Sequence, residues 1–312
     1  MALLAEASAP RVLLTVDVED WNQLLDRRVG IQRSPSTAFR GQMDALFAAL
    51  DDLRAKATFF VLGTAAVDHP KVVAEIAERG HEIACHGYSH ERVYQQSPAE
   101  FRADVERSLR IIELVASVRP DGYRAPIFSI NRDSVWAYEV LAELGFRYDA
   151  SRCWSPWVPN PISLPALAPY RIQLSGGREL WEFPGASLKV AKCSLPLGGA
   201  SYWRFLPGAV HVRLLRSGGQ PYTLLYVHPY ECDREPLRAN LPSSATRAER
   251  RLVRRRERWR NLRRQTALAR LYTIGEQLEF TTCRDALATL ESTPDTEIQS
   301  LGADPATVVA AV

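Results

Sequence analysis

Apolar and polar positions follow two different periods along the chain, and each change of period marks a new element. Arg11–Asp20 (RVLLTVDVED) is a nearly continuous leucine and β-branched run that stops abruptly in carboxylates. That pattern predicts a buried parallel strand with acidic groups at its C-terminal mouth. Residues 41–55 place Met43, Leu46, Phe47, Leu50 and Leu53 on one helical stripe. ATFFVL (57–62) reads as a second strand, and 69–79 as a helix with Pro70 near its start and Gly80 at its end. HEIAC (81–85) is the next strand. Ser97, followed by Pro98, caps a helix carrying Phe101, Val105, Leu109, Ile112 and Val115. Gly122–Pro126 is a short strand and loop, 134–144 a helix closed by Gly145, and 146–149 a strand. Strands and helices alternating at this spacing predict a parallel sheet or barrel.

After Ser151 the texture changes. Prolines and tryptophans dominate to Pro184, and glycines punctuate the chain from 198 to 219. YTLLYVH (222–228) is one more clear strand, 247–264 a basic helix and 280–290 a last strand-to-helix unit, with a loose tail expected beyond Thr293.

Composition narrows the classes. The 312 residues are 46% hydrophobic and 24% charged, which excludes global disorder. A net charge of +3 is too near balance to announce a nucleic-acid binder. Five cysteines at 85, 153, 193, 232 and 283 fit no disulfide framework and form no CxxC pair, so reduced thiols and a cytoplasmic location are expected. The first ten residues lack a basic leader and a long apolar core, and no run of 18 apolar residues occurs, so neither a signal peptide nor a membrane span is expected.

Candidate chemistry gathers at strand ends. His86 and His90, in HGYSH, are spaced so that two imidazoles on one side of a helical turn can share a metal ion. The same spacing is also met where both rings are simply hydrogen-bonded. Asp17 and Glu19 fall on one face of their strand by its two-residue period. Such a pair is either a solvated strand terminus or a cation site, since adjacent carboxylates repel unless a cation lies between them. Histidines at a later strand mouth favour the second reading, because parallel strand ends converge on one face of a barrel. Arg124 in RAPIF, Asp149 ending its strand and His228 in LLYVH complete the set.

The order TVDVED, HGYSH, RAPIF, YDAS, LLYVH resembles the polysaccharide deacetylase superfamily, the NodB-homology carbohydrate esterases. The likeness covers roughly 11–151 and resumes at 222–228. LGGASYWRFLP (197–207) and YVHPYECDREP (226–236) are similar to a branch from exopolysaccharide gene clusters that carries a C-terminal extension. The resemblance implies a distorted, TIM-like (β/α) barrel over 1–235, with a loop-rich insertion at 152–221. An extension over 236–312, bearing the basic helix, would pack on or complete it.

The resemblance also implies a divalent metal, usually Zn2+ with Co2+, Ni2+ or Mn2+ as substitutes, held by His86, His90 and one carboxylate. Glu19 is the expected ligand, with Asp20 as fallback, and Asp17 the general base. Arg124 would hold Asp17 ionised, Asp149 would do the same for His228 as imidazolium, and His228 would protonate the departing amine. A backbone N–H near RAPIF would serve the oxyanion. The implied activity is N-deacetylation of an N-acetylhexosamine unit in a polysaccharide or its precursor. Deacylation of a small amino-sugar or cyclic amide, and a non-catalytic glycan-binding barrel, stay open as alternatives.

Two features lie outside this scheme. The segment 247–264 holds ten arginines and two glutamates. It is either a solvated helix or a patch for an anionic lipid-linked sugar or membrane surface; nucleic acid is not expected. Trp154, Trp157, Trp181 and Trp203 are either core fillers or platforms for sugar rings.

Overall fold

The computed structural model describes residues 9–22, 35–153, 158–162, 167–190, 193–239, 241, 243–292 and 300–301. Its centre is a curled sheet. The first strand, β1 (Arg11–Val18), lies between β10 (Tyr222–Val227) and β2 (Thr58–Val61), parallel to both. Parallel pairing continues through β3 (Glu82–Cys85), β4 (Gly122–Tyr123), β5 (Tyr148–Asp149) and β7 (Glu179–Glu182). β6 (Tyr170–Gln173) then turns antiparallel against β7. The curl brings Gly185, just past β7, into a parallel bridge with Leu224 of β10. The result is a half-barrel narrowed toward closure, in agreement with the distorted α/β barrel expected.

The two-residue period of β1 separates its functions. Val12, Leu14, Val16 and Val18 face outward into the main core, where they meet α1 (Phe39–Asp52) through Phe39, Met43, Leu46 and Leu50. Leu13 packs with Phe60, Tyr148, Trp181 and Leu224 in a second cluster. Thr15 and Asp17 share Leu13's side of the strand. The inward column of one strand thus runs from apolar to ionic. Helices α2 (Gly63–Asp68), α3 (Pro70–Glu78), α4 (Pro98–Ala116) and α5 (Trp136–Glu143) cover the outer face. Ser97 and Glu100 form the capping box that starts α4.

The region read as loop-rich contains more order than its prolines and glycines suggested. Besides β6 and β7 it holds the hairpin β8 (Ser187–Val190) and β9 (Cys193–Pro196), then α6 (Ala200–Trp203) and α7 (Gly208–Ser217). Trp181 and Trp203 are buried core residues, so neither is a sugar platform; Trp154 and Trp157 lie outside the described residues. The basic helix, α8 (Arg247–Asn261), ends earlier than expected and is followed by α9 (Thr266–Gly275). β11 (Phe280–Thr281) pairs with Val12 and Leu13 of β1, and α10 (Cys283–Ser292) packs Cys283, Ala286 and Leu287 into the second cluster. In place of a wholly loose tail, β12 (Ser300–Leu301) pairs with β6. No helix among the described residues is long and apolar enough to cross a membrane.

Close approach of β4 and β5 requires a glycine. A Cβ at Gly122 would lie 1.9 Å from Cζ of Tyr148, a ring fully buried in the second cluster. Gly122→Ala is expected to cost about 3 kcal/mol, the upper end for overpacked cores. Gly41→Ala, in α1 with nothing within 4 Å, should stabilise by roughly 0.5–1 kcal/mol. Thermal unfolding of the two variants side by side checks both.

Candidate metal and acid–base site

Four strand ends deliver the site. Glu19 lies just past β1, and its N–H donates to the Asp17 carbonyl at 2.9 Å in a tight turn. His86 follows β3 directly, and the loop it opens is pinned from several sides. Gly63 and Thr64, at the start of α2, donate to the carbonyls of Gly87 and Tyr88, and Asp104 of α4 accepts from Tyr88 N at 2.8 Å. The two histidines do not sit on a helical turn as the spacing suggested. Gly87 (φ 76°) and His90 (φ 64°) adopt left-handed backbone, which folds the loop back until the ring centroids are 5.5 Å apart. Left-handed backbone at a histidine costs of order 1–3 kcal/mol, and such strain clusters at functional sites.

Oε1 of Glu19 lies 3.0 Å from Nε2 of His86 and 2.8 Å from Nε2 of His90, and all three residues are buried. Nδ1 of His86 donates to the Arg124 carbonyl at 2.8 Å. That bond fixes the tautomer and turns the Nε2 lone pair toward Glu19. A lone pair facing a carboxylate oxygen at 3.0 Å is repulsive unless a proton or a cation lies between. One carboxylate and two imidazoles converging in this way fit a divalent ion of the zinc type. Burial would raise the Glu19 carboxyl, but His90 and His86 outweigh it and hold it well below the usual range.

Asp17 faces the same space. Its Oδ1 accepts from Nη1 of Arg124 at 2.6 Å, and its Oδ2 is 3.9 Å from Nε2 of His228. Arg124 is fully buried; it also donates to Thr15 Oγ1 at 2.9 Å and to the Ala150 carbonyl at 3.2 Å, and lies 4.0 Å over the Phe60 ring. His228, just past β10, stands across from both carboxylates, 3.9 Å from Oε2 of Glu19 as well.

Two expectations are corrected. Asp149 does not reach His228. It accepts from Ser151 N at 2.8 Å and Ser151 Oγ at 2.7 Å, beside Glu182. Burial, then the neighbouring Asp149, pushes the Glu182 carboxyl well up, because two adjacent carboxyls resist ionising together. The partner of His228 is Glu231, whose Oε2 accepts from Nδ1 at 2.9 Å. Burial pushes the imidazole down, but the charge and hydrogen bond of Glu231, with Glu19 and Asp17 behind, raise it overall. Glu231 itself, which burial would raise, is pulled down to about 2 by His228, Arg260 and Ser201. The sequence signal for Glu231 was its i,i+3 spacing from His228 across a proline-started turn. The second correction concerns Asp20. Its oxygens accept from Asn22 N at 2.9 Å and Ser36 N at 2.6 Å and touch His69, outside the Glu19–His86–His90 group.

Residues 7–148 match the family model described as polysaccharide deacetylase, and residues 158–288 match one described as a domain of unknown function, DUF3473. The chain is similar to a peptidoglycan deacetylase-like protein of Gibberella zeae, 33% identical over 96 residues, covering 31% of this chain and 28% of the relative. It is similar to chitin deacetylase 1 of Saccharomyces cerevisiae, 36% over 91 residues, covering 29% and 30%. A third relative is the peptidoglycan-N-acetylglucosamine deacetylase of Bacillus cereus, 35% over 85 residues, covering 27% and 31%. The matched stretch spans less than a third of each of these relatives. Among solved structures, one from Mycobacterium smegmatis, provisionally described as a polysaccharide deacetylase, superposes with a TM-score of 0.62 at 22% identity over 96% of both chains. An allantoinase superposes with a TM-score of 0.56 at 16% identity over 94% of both. These superpositions establish the shared fold.

Glu19→Ala and His86→Ala should each weaken zinc or cobalt binding by at least about 100-fold, the upper range for losing a ligand's support. Asp20→Ala should leave affinity within about threefold of the parent, since its carboxylate is spent on the following loop. Calorimetric titration of the metal-stripped protein measures all three.

Proposed function

We propose that the chain, whose residues 7–148 match the polysaccharide deacetylase family, removes the N-acetyl group from a hexosamine unit of a glycan. Glu19, His86 and His90 would hold the ion, zinc by the chemistry of that donor set. The observation that carries this reading is the opposition of Asp17 and His228: a carboxylate and an imidazole 3.9 Å apart flank the same three-residue cation site. That is where a base and an acid must stand to open an amide.

The ion supplies Lewis acidity, acidifying water and polarising an amide carbonyl. Asp17 does the first proton transfer. Arg124 occupies its Oδ1, so Oδ2 is the atom that accepts the proton of the attacking water. His228 does the second. Glu231 takes the Nδ1–H bond, which commits Nε2 to giving its proton to the departing amine, otherwise a poor leaving group. The oxyanion needs a backbone donor. In the RAPIF loop, Ala125 N already donates to Ser151 Oγ and Phe128 N to the Ala125 carbonyl, and Pro126 has no N–H. Ile127, whose backbone is left-handed (φ 58°), supplies the amide.

Two further readings have support of a weaker kind. Arg251, Arg254, Arg255 and Arg258 are exposed on α8 beside exposed Leu252 and Trp259, which supports an anionic lipid carrier or membrane surface as the place where substrate is met. Cys85, Cys232 and Cys283 are buried thiols outside any disulfide, which supports a reducing, cytoplasmic setting.

The test is acetate release from N-acetylchitooligosaccharides and peptidoglycan fragments by the zinc- or cobalt-loaded protein. Asp17→Asn and His228→Ala should each lower kcat by roughly 10²–10⁴ while metal stays bound. Failure to release acetate from any N-acetyl amino sugar, with the metal site full, overturns the proposal. Loss of metal from His228→Ala overturns the division of roles.

A further inference from the structure

Residues 158–288 match a domain whose function is described as unknown; His228 and Glu231 lie in that stretch, and a further side chain from it bears on both. Arg260 stands at the C-terminal end of α8. Its Nη1 donates to Ser201 Oγ at 2.9 Å, Ser201 Oγ donates to Oε1 of Glu231 at 2.7 Å, and Oε2 of Glu231 accepts from Nδ1 of His228 at 2.9 Å. The same guanidinium lies 5.5 Å from the centroid of the Tyr230 ring. On that ring the His228 imidazole is stacked, at 4.8 Å and 19°. Arg260 therefore acts on both the carboxylate that bonds the imidazole and the surface on which the imidazole lies.

The arginine is itself held in place. Arg204, fully buried, caps the helix end by donating to the carbonyls of Arg260 (2.7 Å) and Trp259 (2.8 Å). Asn261 exchanges two hydrogen bonds with the backbone of Leu237, at 2.8 and 3.0 Å. Arg264 donates to the Tyr230 carbonyl at 2.5 Å and pairs with Asp233. Two of these latches fasten the end of α8 to the segment that follows His228, and Arg204 ties it to the chain just past α6. None of them touches Glu19, His86 or His90.

We propose that Arg260 is a positioning residue of the hydrolytic site, setting the His228 imidazole through Ser201, Glu231 and Tyr230, so that the C-terminal module is a working part of the catalytic apparatus. The proposal rests on the deacetylase reading for its kinetic consequence and on geometry alone for its structural one. A misplaced proton donor lowers turnover on the order of 10- to 100-fold without altering how substrate is held. The charge and reach of lysine can replace part of an arginine's hydrogen bonding, though not its planar contact with an aromatic ring.

The experiment compares Arg260→Ala, Arg260→Lys, Ser201→Ala and the Ser201→Ala/Arg260→Ala double variant in the zinc-loaded full chain. Kinetics use an N-acetylchitooligosaccharide, and proton NMR follows the His228 Nδ1–H resonance, which the bond to Glu231 protects from exchange. Expected are a kcat about 10- to 100-fold lower in Arg260→Ala and Ser201→Ala, with KM and zinc content within about twofold. The Nδ1–H resonance is lost or broadened, and Arg260→Lys recovers part of both signals. The double variant falls no further than the worse single one, because both act through one chain of contacts. Unchanged kcat and an intact resonance in the alanine variants overturn the proposal, as do additive losses. Ser201→Ala substitutes no residue of α8 and leaves the three latches in place, so it decides the matter if Arg260→Ala does not fold. A parent protein that releases no acetate sinks the deacetylase reading, while the resonance still tests the positioning of His228.

Discussion

Arg124 is the residue through which the site is assembled. Its guanidinium bonds Asp17 and Thr15 of β1 and the Ala150 carbonyl past β5, while its own carbonyl takes the Nδ1–H of His86. A cation with no solvent exposure costs several kcal/mol to desolvate unless its bonds are made. The fold is therefore under pressure to bring β1, β4 and β5 into one register, and the same contacts orient Asp17 and His86. The apolar rings of Phe60, Phe128 and Tyr226 around the guanidinium keep water away and make each of those bonds count for more.

The histidine across the cleft is governed by a different logic. His228 is stacked on Tyr230, bonded by Glu231 and faces two more carboxylates, so it meets negative charge from both β1 and its own turn. Glu231 is in turn satisfied by Ser201 from α6. The acidic cluster at the mouth is spread over several partners, which lets Asp17, Glu19 and Glu231 coexist in a space where three unpartnered carboxylates could not.

Much of this was legible in the sequence, for identifiable reasons. β1 and β10 announce themselves because both faces of each are buried, leaving long apolar runs that end where chemistry begins. Asp17 and Glu19 share a face by the strand period alone. The two histidines were found for a partly wrong reason, since left-handed backbone at Gly87 and His90, invisible in spacing, brings the rings together. Asp149 shows where inference from strand ends fails. Convergence of parallel strands fixes where backbones end, and Asp149's carboxylate turns instead to Ser151 and Glu182. The short strands from Tyr170 to Pro196 escaped notice because tryptophan, proline and glycine mask a two-residue period only four positions long. The reach of Arg260 was hidden in a run of arginines whose members look alike until the helix end is latched.

The pairing of the first strand has a consequence for how the molecule is made. Thr15 bonds the carbonyl of Leu225, 210 residues further along. At roughly 5–20 residues per second, about ten to forty seconds of translation separate β1 from its neighbour. Throughout that interval one edge of this largely apolar strand stands open, a template for pairing with any other exposed edge. In the folded protein α1 covers the outer valines of that strand, but only the late-arriving β10 satisfies its open edge.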